Sequence, residues 1–274
     1  MKKHDKTTIA LVAILLVGLA LILYPSVSDY INSFTASTAV ADYSATVADM
    51  SAEDRQALLD DAAEYNSELS AAEDQMTWSE KWHDRYKSLL SVDGSDVMGE
   101  VSIPKINVKL PIYHGSDPET LQMGVGHLDW SSLPVGGEST HAVLSAHRGL
   151  PSATLFTHLD QMAVGDYFII TVGDETLTYE VDQILTVDPT DTEALRIVPG
   201  EDLCTLVTCT PYGINTQRLL VRGQRVPNDI EASEVTADAV TIDPRLVALA
   251  LAIVVLLILI AIVLVKTRRK RKKI

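Results

Sequence analysis

Only two cysteines occur in the 274 residues, Cys204 and Cys209, and they are badly placed to join each other. They close the two ends of "CTLVTC", a β-branched run that predicts a strand. An odd spacing on a strand sends the side chains to opposite faces, away from the ~5.5 to 6 Å Cα separation that a disulfide needs. A disulfide framework is thereby excluded, and both thiols are expected to be free. Other chemistries lack their parts as well. HExxH, CxxC and a spaced Asp/Asn loop ending in Glu are all absent, which argues against a metal site. Gly124-Val125-Gly126 lacks the rest of a phosphate loop, and there is no GxSxG for a serine hydrolase, so no cofactor is expected. Internal repeats and long low-complexity tracts are missing too.

Basic residues are scarce except at the ends. With Lys2, Lys3, Lys6, Asp5 and the seven basic residues from Lys266 to Lys273 set aside, 12 Lys and Arg face 36 Asp and Glu, a net charge of about −24. Such a field argues against nucleic acid and anionic membrane surfaces, which are bound through clustered Lys and Arg. The basic ends flank two apolar runs. Ile9 to Tyr24 is sixteen residues without a charge, and Leu246 to Val265 is twenty. A membrane crossing needs about 20 residues at 1.5 Å each, so the second run suffices and the first reads as an anchor or the apolar part of a signal sequence. The positive-inside tendency puts both termini in the cytoplasm and everything between them outside. The expected order is a cytoplasmic N-terminus (1–8), an anchor (9–24), an extracellular helical segment (25–96), a β-rich domain (97–227), a linker (228–245), a membrane helix (246–265) and a basic cytoplasmic tail (266–274).

Periodicity divides the outer part. Leu58, Ala62, Tyr65 and Leu69 fall on one helical stripe over Ser51 to Ser70, with Ser51 and Asp54 placed to cap its start. A second helix is predicted from Ser79 to Leu90, carrying Trp82, Tyr86 and Leu89 on its apolar side. After Val97 the period becomes two. Strands are predicted around Val101–Ile103, Ile106–Ile112, His141–His147, Tyr167–Val172, Leu177–Val187, Cys204–Cys209 and Arg218–Val226, with short helices starting at Asp117-Pro118 and Pro151-Ser152. The fold class is mainly β, a small barrel with helical decoration.

Cys204 shares a strand face with Leu206 and reads as a small core hydrophobe, whereas Cys209 ends the strand beside a Pro-Tyr-Gly turn. A cysteine nucleophile reacts as its thiolate, so a basic neighbour is needed. Of the seven histidines, His147 is favoured over His141 because it stands at a strand end before Arg148-Gly149. Arg218 lies nine residues after Cys209 across "TPYGINT", and a hairpin there brings the two alongside. A guanidinium is always charged and offers fixed donors, which suits an oxyanion; a rim arginine paired with one of the acids is the competing reading. Arg222 and Arg225 run away from the turn.

"TLVTC" with an arginine nine positions on, and "HRG" some sixty residues upstream, resembles the sortase family of Gram-positive cell surfaces. The stretches "VMGEVSIPKINVKLPIYHG", "GVGHLDWSSLPVGGESTHAVLSAHRGLPSATLF" and "TLVTCTPYGINTQRLLVRGQR" are similar to its class C, pilin-polymerising branch from Val97 to Arg225. The resemblance implies an eight-stranded barrel flanked by two membrane helices. It also implies thiol transpeptidation: Cys209 as nucleophile on an LPxTG-like sorting signal of a pilin or surface protein, His147 as acid and base, Arg218 as oxyanion stabiliser and a pilin lysine as acceptor. Class C members also carry an Asp-Pro-aromatic lid; "MTWSE" aligns there, with Trp78 able to supply the ring but Met76 and Thr77 in place of Asp and Pro. Two alternatives are a sortase of another class that anchors proteins to the cell wall, and a pilin or adhesin that is itself a sortase substrate. The second would need an LPxTG-like pentapeptide before the last apolar run, where "VTADAVTIDPRL" stands instead.

Overall fold

The computed structural model describes residues 3–75, 80–92 and 94–228. Trp78, the apolar run Leu246 to Val265 and the basic tail lie outside them. Residues up to Tyr30 belong to one compact unit, and Ile31–Val235 form another. In the first, the described chain is the apolar half of a helix, α1 (Lys3–Asp49), which runs on past Tyr24 through Pro25. From Val12 it is long and apolar enough to cross a membrane.

In the second unit the rest of α1 buries Ala36, Val40, Tyr43 and Val47, spaced four, three and four apart as one helical stripe requires. The Tyr43 hydroxyl donates to the Met98 carbonyl (3.0 Å) and accepts from the Gly173 N–H (2.8 Å). Helix α2 (Ala52–Ser70) begins where the sequence predicts, with the Ser51 Oγ accepting from the Asp54 N–H at 3.0 Å. Its Ala62, Tyr65 and Leu69 are buried, and the Tyr65 ring meets Trp82 edge-on at 5.6 Å. Helix α3 (Glu80–Ser88) carries Tyr86, whose hydroxyl lies 2.9 Å from His127 Nδ1.

Eight strands follow: β1 (Val97–Ile103), β2 (Val108–His114), β3 (Val125–His127), β4 (Thr140–Ser145), β5 (Tyr167–Val172), β6 (Glu175–Val187), β7 (Asp202–Thr210) and β8 (Gln217–Val226). They close into a barrel in the order β1-β2-β3-β4-β7-β8-β6-β5. β2 with β3 and β4 with β7 are parallel pairs; the other pairs are antiparallel. A closed barrel leaves no strand edge exposed. Inside, Phe168 and Tyr179 stack at 5.5 Å between ring centroids. Gly223 is required beside them, because a Cβ there would stand 2.7 Å from Phe168 Cε1 and 2.8 Å from Tyr179 Cβ.

Strand β3 and the chain after Pro151-Ser152 depart from the sequence-based expectation. Strand β3 was not predicted. The helix expected at Asp117-Pro118 is one turn, α4 (Thr120–Met123), with Asp117 Oδ1 accepting from the Thr120 N–H at 3.1 Å. At Pro151-Ser152 no helix forms; the chain turns, and the first regular piece after it is the short 3-10 turn Leu159–Gln161.

Candidate active site

The site is built on the face of β4, β7 and β8 that points away from the barrel core. Alternation decides which residues share it. Ala142, Leu144, Cys204, Leu206, Leu219 and Val221 join the main core. Their neighbours Val143, Val207 and Leu220, with Leu195 from the β6–β7 connection, form a second apolar cluster on the other face. Cys209 follows Val207 on that face by two positions, and Arg218 precedes Leu220 by two. The expected separation of the cysteines is therefore observed: Cys204 is fully buried and Cys209 half-buried, both free.

Cys209 and Arg218 are directly opposed Cα partners in the β7–β8 ladder. Arg218 Nη1 donates to the Gln217 carbonyl (3.1 Å), and among the described residues it makes no ion pair. Arg222 is held instead by Asp182, at 3.0 and 2.6 Å. Arg225 is spent on the Val226 carbonyl and Asn228.

His147 reaches the site along the parallel pair. β4 ends at Ser145, so His147 lies two residues past the strand rather than on its last position. The ladder sets each β4 residue against the one 62 positions later, from Thr140↔Asp202 to Ser145↔Val207, and Cys209 is the residue that the same offset, continued past the strand, would set against His147. Two bonds carry the register beyond the strand: Ala146 N–H donates to the Val207 carbonyl (3.1 Å), and the buried Thr208 Oγ1 donates to the Ala146 carbonyl (2.8 Å). The His147 carbonyl accepts from the Phe156 N–H at 3.1 Å. Partial burial lowers the His147 pKa, because desolvation disfavours the imidazolium.

His141 is a different kind of histidine. Fully buried, it meets the Arg196 carbonyl through Nδ1 (2.8 Å) and Thr205 Oγ1 through Nε2 (2.7 Å), and burial depresses its pKa to about 4. It ties β4 to β7 and to the β6–β7 connection. The apolar floor beneath the site, Val143, Val207 and Leu220, was not anticipated. Its signal in the sequence is slight: on the outward face "CTLVTC" places only Val207 between Thr205 and Cys209, and "RLLV" only Leu220 after Arg218. A thiol and a guanidinium thus face each other across β7 and β8, and an imidazole held towards its neutral form follows the end of the neighbouring β4; a thiol, a base and a guanidinium are a set able to form and hold an acyl intermediate when brought together.

A family model described as "Sortase domain" matches residues 101–226. Sortase D of Bacillus subtilis is 32% identical over 143 residues, covering 51% of this chain and 69% of that protein. Among solved structures, sortase C1 from Streptococcus agalactiae is 50% identical with a TM-score of 0.69, covering 70% of this chain and 100% of that one. Clostridium perfringens sortase C, solved with the C-terminal cell wall sorting motif, is 40% identical with a TM-score of 0.62, over 70% of this chain and 100% of that one. The fold and these matches define a cysteine transpeptidase, and the chain belongs to the sortase family. Class C sortases are among its structural neighbours.

Proposed function

We propose that this sortase is anchored in the cell membrane with its barrel outside and both termini in the cytoplasm, and that it joins pilin subunits to one another. His147 takes the Cys209 thiol proton as Sγ attacks the threonine carbonyl carbon at the Thr–Gly bond of an LPxTG-like signal. The tetrahedral oxyanion falls to Arg218. As the C–N bond breaks, His147 delivers a proton to the departing glycine amine, leaving a thioester on Cys209. A lysine amine of the next subunit then attacks the thioester carbonyl, His147 takes its proton, and an isopeptide bond replaces the C–S bond. Bond energy is carried through the thioester, so no nucleotide is consumed.

The observation that carries this reading is the pairing of Cys209 with Arg218 while the β4–β7 offset leads His147 to the same position. A pilin acceptor is favoured by the class C character of the solved relatives, and the C. perfringens enzyme, solved with a sorting motif, supports a donor of that kind. The test is to incubate the enzyme with an LPxTG peptide and a panel of amines, then identify adducts by mass spectrometry. An acyl adduct on Cys209 resolved by pilin lysine supports the proposal; resolution only by a cell-wall peptide amine would reassign the acceptor.

A further inference from the structure

We infer that Arg148 is a positioning residue for the His147–Cys209 pair, an inference that rests on the reading of that pair proposed above. His147 is flanked by Ala146 and Arg148, and Cys209 by Thr208 and Thr210. On one side, Thr208 Oγ1 donates to the Ala146 carbonyl at 2.8 Å. On the other, Arg148 Nη1 donates to Thr210 Oγ1 at 3.2 Å. The residues before and after His147 are thus each bonded to the corresponding neighbour of Cys209. The β4–β7 ladder ends at Ser145↔Val207, so on the far side of His147 a long side chain takes over from the backbone.

Arg148 is held from three directions. Nη2 donates to Asp160 Oδ2 at 2.5 Å, in the 3-10 turn Leu159–Gln161. Its Cζ lies 5.9 Å from the ring centroid of Tyr212, in the turn after Cys209, within cation–π range. Gly149 closes the arrangement: its φ is +78°, and a Cβ there would stand 3.1 Å from Tyr212 Cε2.

The side chain is only 8% exposed, an unusual location for a permanent cation, and Nε has no hydrogen-bond partner among the described residues. The guanidinium is oriented more than it is saturated. Its fork reaches Thr210 and Asp160 at once, which a lysine ammonium, a point charge on a flexible stem, cannot reproduce. A proton-transferring group displaced by about 1 Å can cost about 100-fold in rate, so the position of His147 is worth this clamp.

The test separates positioning from general integrity by the leaving group. The full-length enzyme is assayed in detergent on a sorting peptide and on the same peptide with an ester replacing the Thr–Gly amide, whose leaving alkoxide depends less on a positioned acid. R148K and T210V are expected to lower kcat on the amide about 10- to 100-fold with KM little changed, and to keep ester turnover within about threefold. The double variant should be no worse than either single one, since both break the same link. Wild-type amide turnover in R148K or in T210V, equal loss on amide and ester, or a raised KM at unchanged kcat would each overturn the inference. C209A is run alongside: if it turned over either substrate, the assignment of the nucleophile would fail, whatever Arg148 does.

Discussion

Cys209 and Arg218 stand directly opposite each other across the last hairpin of the barrel. Cys204, five positions earlier on the same strand, is paired with Gly223 and buried in the core. Cys209→Ala should abolish release of the C-terminal part of a sorting peptide, while Cys204→Ala should keep it and lose only stability. Chromatographic detection of the released fragment checks both, and equal loss from the two variants would refute the division of labour.

Arg218 makes no ion pair among the described residues, so its charge is not committed to a carboxylate there. Arg218→Ala is expected to slow turnover roughly 10²- to 10³-fold, about 2.7 to 4 kcal/mol, the scale of losing an oxyanion donor. Arg218→Lys should recover only part of the rate, because a point charge lacks the planar fork. Single-turnover kinetics of acylation measure both; full recovery with lysine would reduce the role to charge alone.

Burial depresses the pKa of His127 to about 3 and of His141 to about 4, both below the ordinary value of 6.5. The unfolded chain therefore binds these protons before the folded one does. Stability is fully present above about pH 6.5 and falls as the pH drops towards 4, by about 1.4 kcal/mol per pH unit for each histidine. Urea unfolding at pH 7.5, 6 and 5 should show this decline. In His141→Asn, less stable at pH 7.5, the decline should be shallower by one histidine's share; an unchanged slope would mean that His141 is not held neutral.

The Tyr43 hydroxyl serves a buried donor and a buried acceptor on β1 and on the β5–β6 turn. Tyr43→Phe leaves the Gly173 N–H and the Met98 carbonyl without it and should cost about 1 to 3 kcal/mol in urea unfolding. A change below about 0.5 kcal/mol would show that other groups satisfy them. Peptide turnover should stay at the wild-type level at temperatures where the variant is folded.

Local features were legible in the sequence. The Ser51–Asp54 cap, the two-residue period of the strands, the opposite faces of the cysteines and the meeting of 209 with 218 across a hairpin each depend on residues within about ten positions of one another. What escaped was decided at long range. Strand β3 is three residues containing a glycine, and becomes a strand only by pairing with β2 and β4. Pro151-Ser152 carries a helix-start pattern, yet the Ser152 carbonyl accepts from Asn32 Nδ2 (2.8 Å) and the Phe156 N–H is taken by the His147 carbonyl. Tertiary partners thus claimed backbone groups that a helix would have used. The residues of α1 after Tyr30 are largely small and polar, and their helix is fixed by docking Ala36, Val40, Tyr43 and Val47 against the fold. The proposed meeting of His147 with Cys209 depends on the parallel β4–β7 pairing, which no local pattern encodes; the family resemblance implied the pair.

That parallel pairing makes the proposed site a product of closure. β7 lies between β4 and β8 in the barrel order, so Cys209 has Arg218 opposite it through one neighbour and the end of β4 beside its strand through the other. On the reading proposed above, the three groups come together only in a barrel in which all three strands are paired.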